Sequence, residues 1–171
     1  MAFLWGNPAE QTSGFSNSND ADPKHIPNTV VCEVDSTNGL RCYKYLQYDN
    51  GTAGNTAANG NPTVYDDGAA PDNTFLIDVS DSHRNLVAGI CLNVVTDAQY
   101  GWIQIKGYHS AVDTNGDDDV AIGQSIIHSN TDAQVDSVAV GTAPTNNIYG
   151  WANTADIDAD NTVAMLLNCS F

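Results

Sequence analysis

Apolar and polar residues alternate along "AQYGWIQIKG", Ala98 to Gly107. Tyr100, Trp102, Gln104 and Lys106 fall on one face, and Gly101, Ile103 and Ile105 on the other, the period of a β-strand. Short runs of the same kind recur from Thr29 onward: "TVVCEV", "LRCYKYLQY", "TFLIDV", "LVAGICLNVV", "QSIIHS", "VDSVAV", "NIYGWA" and "TVAMLLN". Turn-forming residues separate nearly all of them, and no segment carries a capped helical period over ten or more positions. The pattern predicts an all-β chain folded as a single compact β-barrel or β-sandwich over 29–171. Half of the first phrase returns in "IYGWAN", Ile148 to Asn153. Packing accounts for this echo: glycine lets an aromatic ring lie against the backbone while tryptophan fills the interior. Tyr100, Trp102, Ile103, Ile105, Tyr149, Trp151 and Leu166 are therefore expected in the core.

Two stretches break the alternation. Residues 1–28 are rich in Asn, Ser, Pro and Asp, with apolar points only at Phe3, Leu4, Trp5, Phe15 and Ile26. They predict an extended N-terminal arm that docks on its own domain or on a neighbour. The stretch "DNGTAGNTAANGNPTVYDDGAAPDN", Asp49 to Asn73, predicts a long Gly/Asn-rich loop, the kind of segment that carries contacts.

The chain has 171 residues, enough for one domain with a sizeable core. Its 21 acidic residues against 5 basic ones give a net charge of −16, and all the acids except Glu10 and Glu33 are aspartate, a turn former. So few lysines and arginines leave little to hold phosphates, which argues against nucleic acid and against anionic membranes. Copies of so acidic a chain repel one another, so assembly should respond to salt or divalent cations. "AFLW" near the start is too short for a secretion-signal core, and no run approaches the length of a membrane span. Cys32 and Cys42 can face each other across a hairpin around "STNG", but the reduced thiol is the favoured reading for Cys32, Cys42, Cys91 and Cys169 alike.

Candidate chemistry is sparse. In "DTNGDDDV", Asp113, Asn115 and Asp117 alternate like the opening of a calcium loop, with Asp119 one step further. Asp118 stands where an EF-hand requires glycine, and Gln124 where it requires a bidentate glutamate, so that reading fails. What remains is a weakly bound calcium or magnesium, or a solvated hairpin tip; no other metal or cofactor is expected. "DIDAD", Asp156 to Asp160, reads as an acidic turn. Asp81, Ser82 and His83 are adjacent, whereas a catalytic triad is assembled from separate segments. His25, His109 and His128 lack metal-binding spacing, and "NGTAGNTAANG" lacks the lysine of a phosphate loop. No enzyme is expected.

Taken in order, "YKYLQY" (Tyr43–Tyr48), "LVAGICLNVVTDAQYGWIQIKG" (Leu86–Gly107), "NIYGWA" (Asn147–Ala152) and "ADNTVAMLLN" (Ala159–Asn168) resemble the capsid decoration, or cement, proteins of tailed bacteriophages, especially marine ones. The resemblance runs from about residue 40 to 171 and departs at the acidic "DTNGDDD"; the arm has no counterpart. It implies a β-barrel on the outer surface of a virion head, assembled in the host cytoplasm, that reinforces contacts between major capsid protein subunits. It implies no catalytic residues. Phe3, Leu4, Trp5, Phe15 and Tyr65 are the expected capsid or oligomer contacts, and a homo-oligomer is expected, trimer ahead of dimer. The alternative is a phage fibre module or secreted adhesin that binds host glycans through aromatic faces.

Overall fold

The computed structural model describes residues 19–49, 56–66, 76–81, 86–116, 120–144, 146–155 and 161–169. Ten strands form one sheet: β1 (Val30–Asp35), β2 (Gly39–Tyr48), β3 (Pro62–Tyr65), β4 (Leu76–Asp78), β5 (Val87–Cys91), β6 (Tyr100–Asp113), β7 (Ser125–His128), β8 (Val135–Val138), β9 (Ile148–Ala152) and β10 (Thr162–Asn168). No helix occurs among the described residues, and the all-β expectation holds. β2 pairs with β4, β4 with β3, β3 with β5, β5 with β6, and β6 returns to β2, so five strands close a hydrogen-bonded circuit. β1 extends this circuit from β2. The far half of β6 carries an antiparallel extension in the order β10, β9, β7, β8.

The alternation seen in residues 98–107 survives, but both faces are covered. Ile103 and Ile105 enter the main core with Cys42, Leu46 and Tyr48 of β2 and with Tyr149, Met165 and Leu167 from the extension. Trp102 enters a second cluster with Tyr43 and Tyr45, against which Val31, Leu92 and Tyr100 pack. Register places Tyr45 opposite Trp102, with ring centroids 5.1 Å apart. Burying rings of this size on both faces of one strand pair removes several hundred Å² from water, which makes β2–β6 the spine of the molecule. Residues 19–28 supply part of the lid on this second cluster. Asp20 exchanges backbone hydrogen bonds with Tyr100 and accepts one from the Tyr45 hydroxyl, while the His25 ring lies edge-on to Tyr45 and Trp102. The part of the arm before residue 19 lies outside the described residues.

Two expectations need correction. The stretch read as one long loop contains β3, whose Pro62, Thr63 and Val64 are all buried. Proline is tolerated at the first position of a strand, where its missing donor is least missed, so four residues inside a Gly/Asn-rich run were enough. Ala57, from the same stretch, is fully buried and bridges to Val95. The reduced reading of the thiols also fails for one pair: Cys32 and Cys42 are joined by a disulfide. They sit directly opposite in the β1–β2 register with Cα atoms 4.1 Å apart, as in the closely spaced pairs of an antiparallel ladder. Cys91 and Cys169 are buried free thiols, and burial pushes both up to about 12.

Candidate functional site

The outer face of the β6–β10–β9 extension carries an apolar row that is exposed at Leu166 and Trp151 and half-buried at Tyr108. Tyr108 is opposite Leu166, Leu166 is opposite Trp151, and Trp151 is opposite Ser125, so one rung crosses four strands. Residues in direct register share a face, with Cβ atoms roughly 5 Å apart. Trp151 is 41% exposed and Leu166 47%, although both were expected in the core. A β-bulge causes the reversal for Trp151. Between Ile126 and Ile127 of β7 the partner register jumps from Gly150 to Ile148, leaving Tyr149 as the extra residue. The bulge turns Tyr149 inward, where it is fully buried, and sends Trp151 outward. Leu166 follows, because it faces Trp151 while its neighbours Met165 and Leu167 fill the core. Gly150 permits the close strand approach: a Cβ there would run into the Leu166 carbonyl. The two Tyr-Gly-Trp phrases therefore do different things, one feeding a buried cluster and the other splitting between core and surface.

Tyr108 also lines a recess of about 250 Å³ with Glu33, Arg41, Tyr43, Gln104 and His109. Gly107 helps shape it. With φ at +92° and no room for a Cβ beside the Leu40 carbonyl, it lets β6 pass close to β2. Arg41 Nη2 donates to Glu33 Oε1 at 3.1 Å and to Asp35 Oδ2 at 2.8 Å, and the Tyr43 hydroxyl donates to Glu33 Oε1 at 2.8 Å. Asp35 in turn accepts from the backbone N–H groups of Thr37 and Asn38, which hold its carboxyl below the usual range, helped by Arg41. Burial, with Arg41 close by, lowers His109 to about 4, so its imidazole is neutral at neutral pH. The side chain of Gln104 is pinned by donating to the Lys106 and Tyr108 carbonyls.

The tip of the β1–β2 hairpin is a second apolar exposure. Val34 is 81% and Leu40 47% exposed, and they stand directly opposite each other. Everything around them is constrained: the Cys32–Cys42 disulfide, the Arg41 ion pairs, and the Asp35 turn closed by Gly39 at φ +75°.

The other expected site residues are dispersed. Phe3, Leu4, Trp5 and Phe15 lie outside the described residues, as do Ser82, His83, Asp117, Asp119 and Asp156–Asp160. Tyr65 is half-buried against the main core, its hydroxyl accepting from Lys44 Nζ at 2.8 Å. Burial pushes Tyr65 up to about 12 and Lys44 down. Asp113 lies at a separate recess with Asn61, Asp132 and Asn161; Asn61 Nδ2 donates to its carboxylate at 2.7 Å, and burial raises its pKa. Among the described residues, no group of three or more His, Cys, Asp or Glu side chains is placed to hold a metal ion. His25, His109 and His128 belong to different surroundings: the second cluster, the Arg41 recess and the neighbourhood of Tyr149. The apolar row escaped sequence reading because the bulge that exposes it leaves no local signature beyond the glycine of Tyr-Gly-Trp. No family model matches the chain, and neither a curated protein nor a solved structure is similar to it.

Proposed function

We propose that this chain is a structural virion protein that binds the outer surface of a phage head and reinforces contacts between major capsid protein subunits. The row formed by half-buried Tyr108 with the exposed Leu166 and Trp151 carries the reading. An aromatic and an aliphatic side chain held outward by paired strands lose little conformational freedom on docking, and tryptophan and tyrosine dominate the energetics of protein contacts. The Val34–Leu40 tip supplies a second rigid prong. A net charge of −16 favours a partner surface whose apolar notch is rimmed by lysine or arginine, and it makes binding depend on ionic strength. Many identical contacts on one lattice add through avidity, so each can be weak. The resemblance of residues 40–171 to decoration proteins points to the same partner. Homo-oligomers, trimers ahead of dimers, form on the lattice in this reading, and no reaction is catalysed.

The test is occupancy of heads assembled without this chain, measured by adding the purified protein and sedimenting the particles. Wild type should saturate the heads, and Trp151→Ala combined with Leu166→Ser should lower occupancy at least tenfold without changing the fold. Equal occupancy by the double variant, or no binding of wild type, removes this function.

A further inference from the structure

The sheet ends in two edges of different character. β8 is four residues long and its free side is partly covered: Thr114 bridges to Val135, whose carbonyl accepts from the Asn115 N–H. At the other edge β1 pairs only with β2 among the described residues. Over Val30–Asp35 it carries no Pro, Gly, Lys or bulge, the devices that usually blunt an exposed edge. Two observations fix which of its backbone groups face outward. The Tyr45 N–H donates to the Thr29 carbonyl, and the Cys32 and Cys42 Cα atoms stand only 4.1 Å apart, the spacing of a pair that exchanges no hydrogen bonds. The N–H and C=O groups of Val30, Cys32 and Val34 therefore point away from β2, and none of them meets another segment among the described residues. Cys32 and Val34, which share a face of this edge, are both exposed.

We propose that in free solution the β1 edge pairs with β1 of a second copy of this chain, antiparallel about a two-fold axis at Cys32. This is the one centring that matches all three outward residues, setting Val30, Cys32 and Val34 against Val34, Cys32 and Val30 of the second copy. Exposed Val34 then lies against Val30, which continues the Leu40–Val34 rung across the join. On the other face Glu33 meets Val31 and Asp35 meets Thr29, so no carboxylate opposes a carboxylate. This self-matching register favours a second copy over a foreign strand, and the contact closes at two. The charge of −16 on each copy opposes pairing, so it strengthens with salt as the screening length falls from about 10 Å at 0.1 M to about 3 Å at 1 M. Pairing covers Val34 and competes with docking of the Val34–Leu40 tip, but its test needs no heads and stands apart from the proposed function.

Sedimentation velocity on the full chain tests it. In about 0.5 M NaCl the wild type should form a dimer with a dissociation constant on the order of 10–100 µM, in keeping with a small interface. Lowering the salt to about 0.05 M should weaken it about fivefold or more. Val34→Pro removes an outward N–H and no β1–β2 hydrogen bond, so it should weaken the dimer about tenfold or more while thermal melts show a folded protein. Trp151→Ala combined with Leu166→Ser should leave the dimer unchanged. Cross-linking reads the register. Cys42→Ala frees the exposed Cys32 thiol opposite its counterpart, within disulfide reach, and mild oxidation should give a covalent dimer. With Cys32→Ser, Cys42→Ala and Val34→Cys combined, the new thiols stand about 13 Å or more apart along the paired strands, and cross-linking should be about tenfold slower or less. A wild type still monomeric at about 500 µM in high salt overturns the proposal, as does a trimer. It is equally overturned by an unweakened Val34→Pro dimer, by loss of the dimer with Trp151 and Leu166, or by equal cross-linking at positions 32 and 34.

Discussion

The Tyr149 hydroxyl donates to the Thr63 carbonyl at 2.9 Å, joining β9 of the extension to β3 of the closed circuit through the middle of the core. Both residues are fully buried. This contact exists because the bulge turned Tyr149 inward, and burial pushes its phenol far above the ordinary range, so it stays a donor. Removing the hydroxyl deletes this one buried hydrogen bond across the core. Tyr149→Phe should therefore cost about 1 kcal/mol, read as a lower urea midpoint at unchanged slope.

The two tryptophans of the repeated phrase should respond oppositely to truncation. Trp102 is 2% exposed between Tyr45 and the segment 19–28, so Trp102→Ala leaves a cavity and should cost about 3–5 kcal/mol. Trp151 stands 41% in solvent, and its removal should cost about 1 kcal/mol or less. Denaturant titrations of the two variants, followed by circular dichroism, give the comparison directly.

The Cys32–Cys42 bridge closes a sequence separation of 10 residues, for which chain entropy gives a stabilisation of about 2–3 kcal/mol. Reductant should lower the melting temperature of the wild type by roughly 5–10 °C. The variant with both cysteines changed to serine should melt at that lower temperature with or without reductant.

His109 makes stability fall with acid. Its folded pKa of about 4 lies below the ordinary value of 6.5, so the unfolded chain takes up the proton first. The favourable state is fully present above pH ~6.5 and is lost as the pH falls toward ~4, a change of about 3 kcal/mol at most. His109→Asn keeps an acceptor near the Ala111 N–H and cannot titrate, so its unfolding midpoint should fall less between pH 7 and pH 4.5 than that of the wild type. Parallel pH profiles for the two proteins would show that another group governs this range.

Much of the architecture was legible in short windows. The alternation of residues 100–106 marks a strand whose two faces separate Trp102 from Ile103 and Ile105, and the Asp35–Gly39 turn sets Cys32 against Cys42. β3 was not legible, because four residues among glycines and asparagines carry too little periodicity to announce a buried strand. The Arg41 recess was not legible either: Glu33 and Arg41 are near in sequence, but Gln104, Tyr108 and His109 arrive from β6 through pairing with β2.

Residue order alone thus decided that the chain forms strands, where most of them turn, and, outside the bulge at Tyr149, which side chains share a face, since a period of two is a property of neighbouring residues. Tertiary structure decided which faces meet water. Residues 19–28 cover the Trp102 face from a distance in sequence, while one extra residue at Tyr149 reverses Trp151 and leaves its face uncovered among the described residues. Burial depends on what arrives from elsewhere in the chain, and no local pattern encodes that.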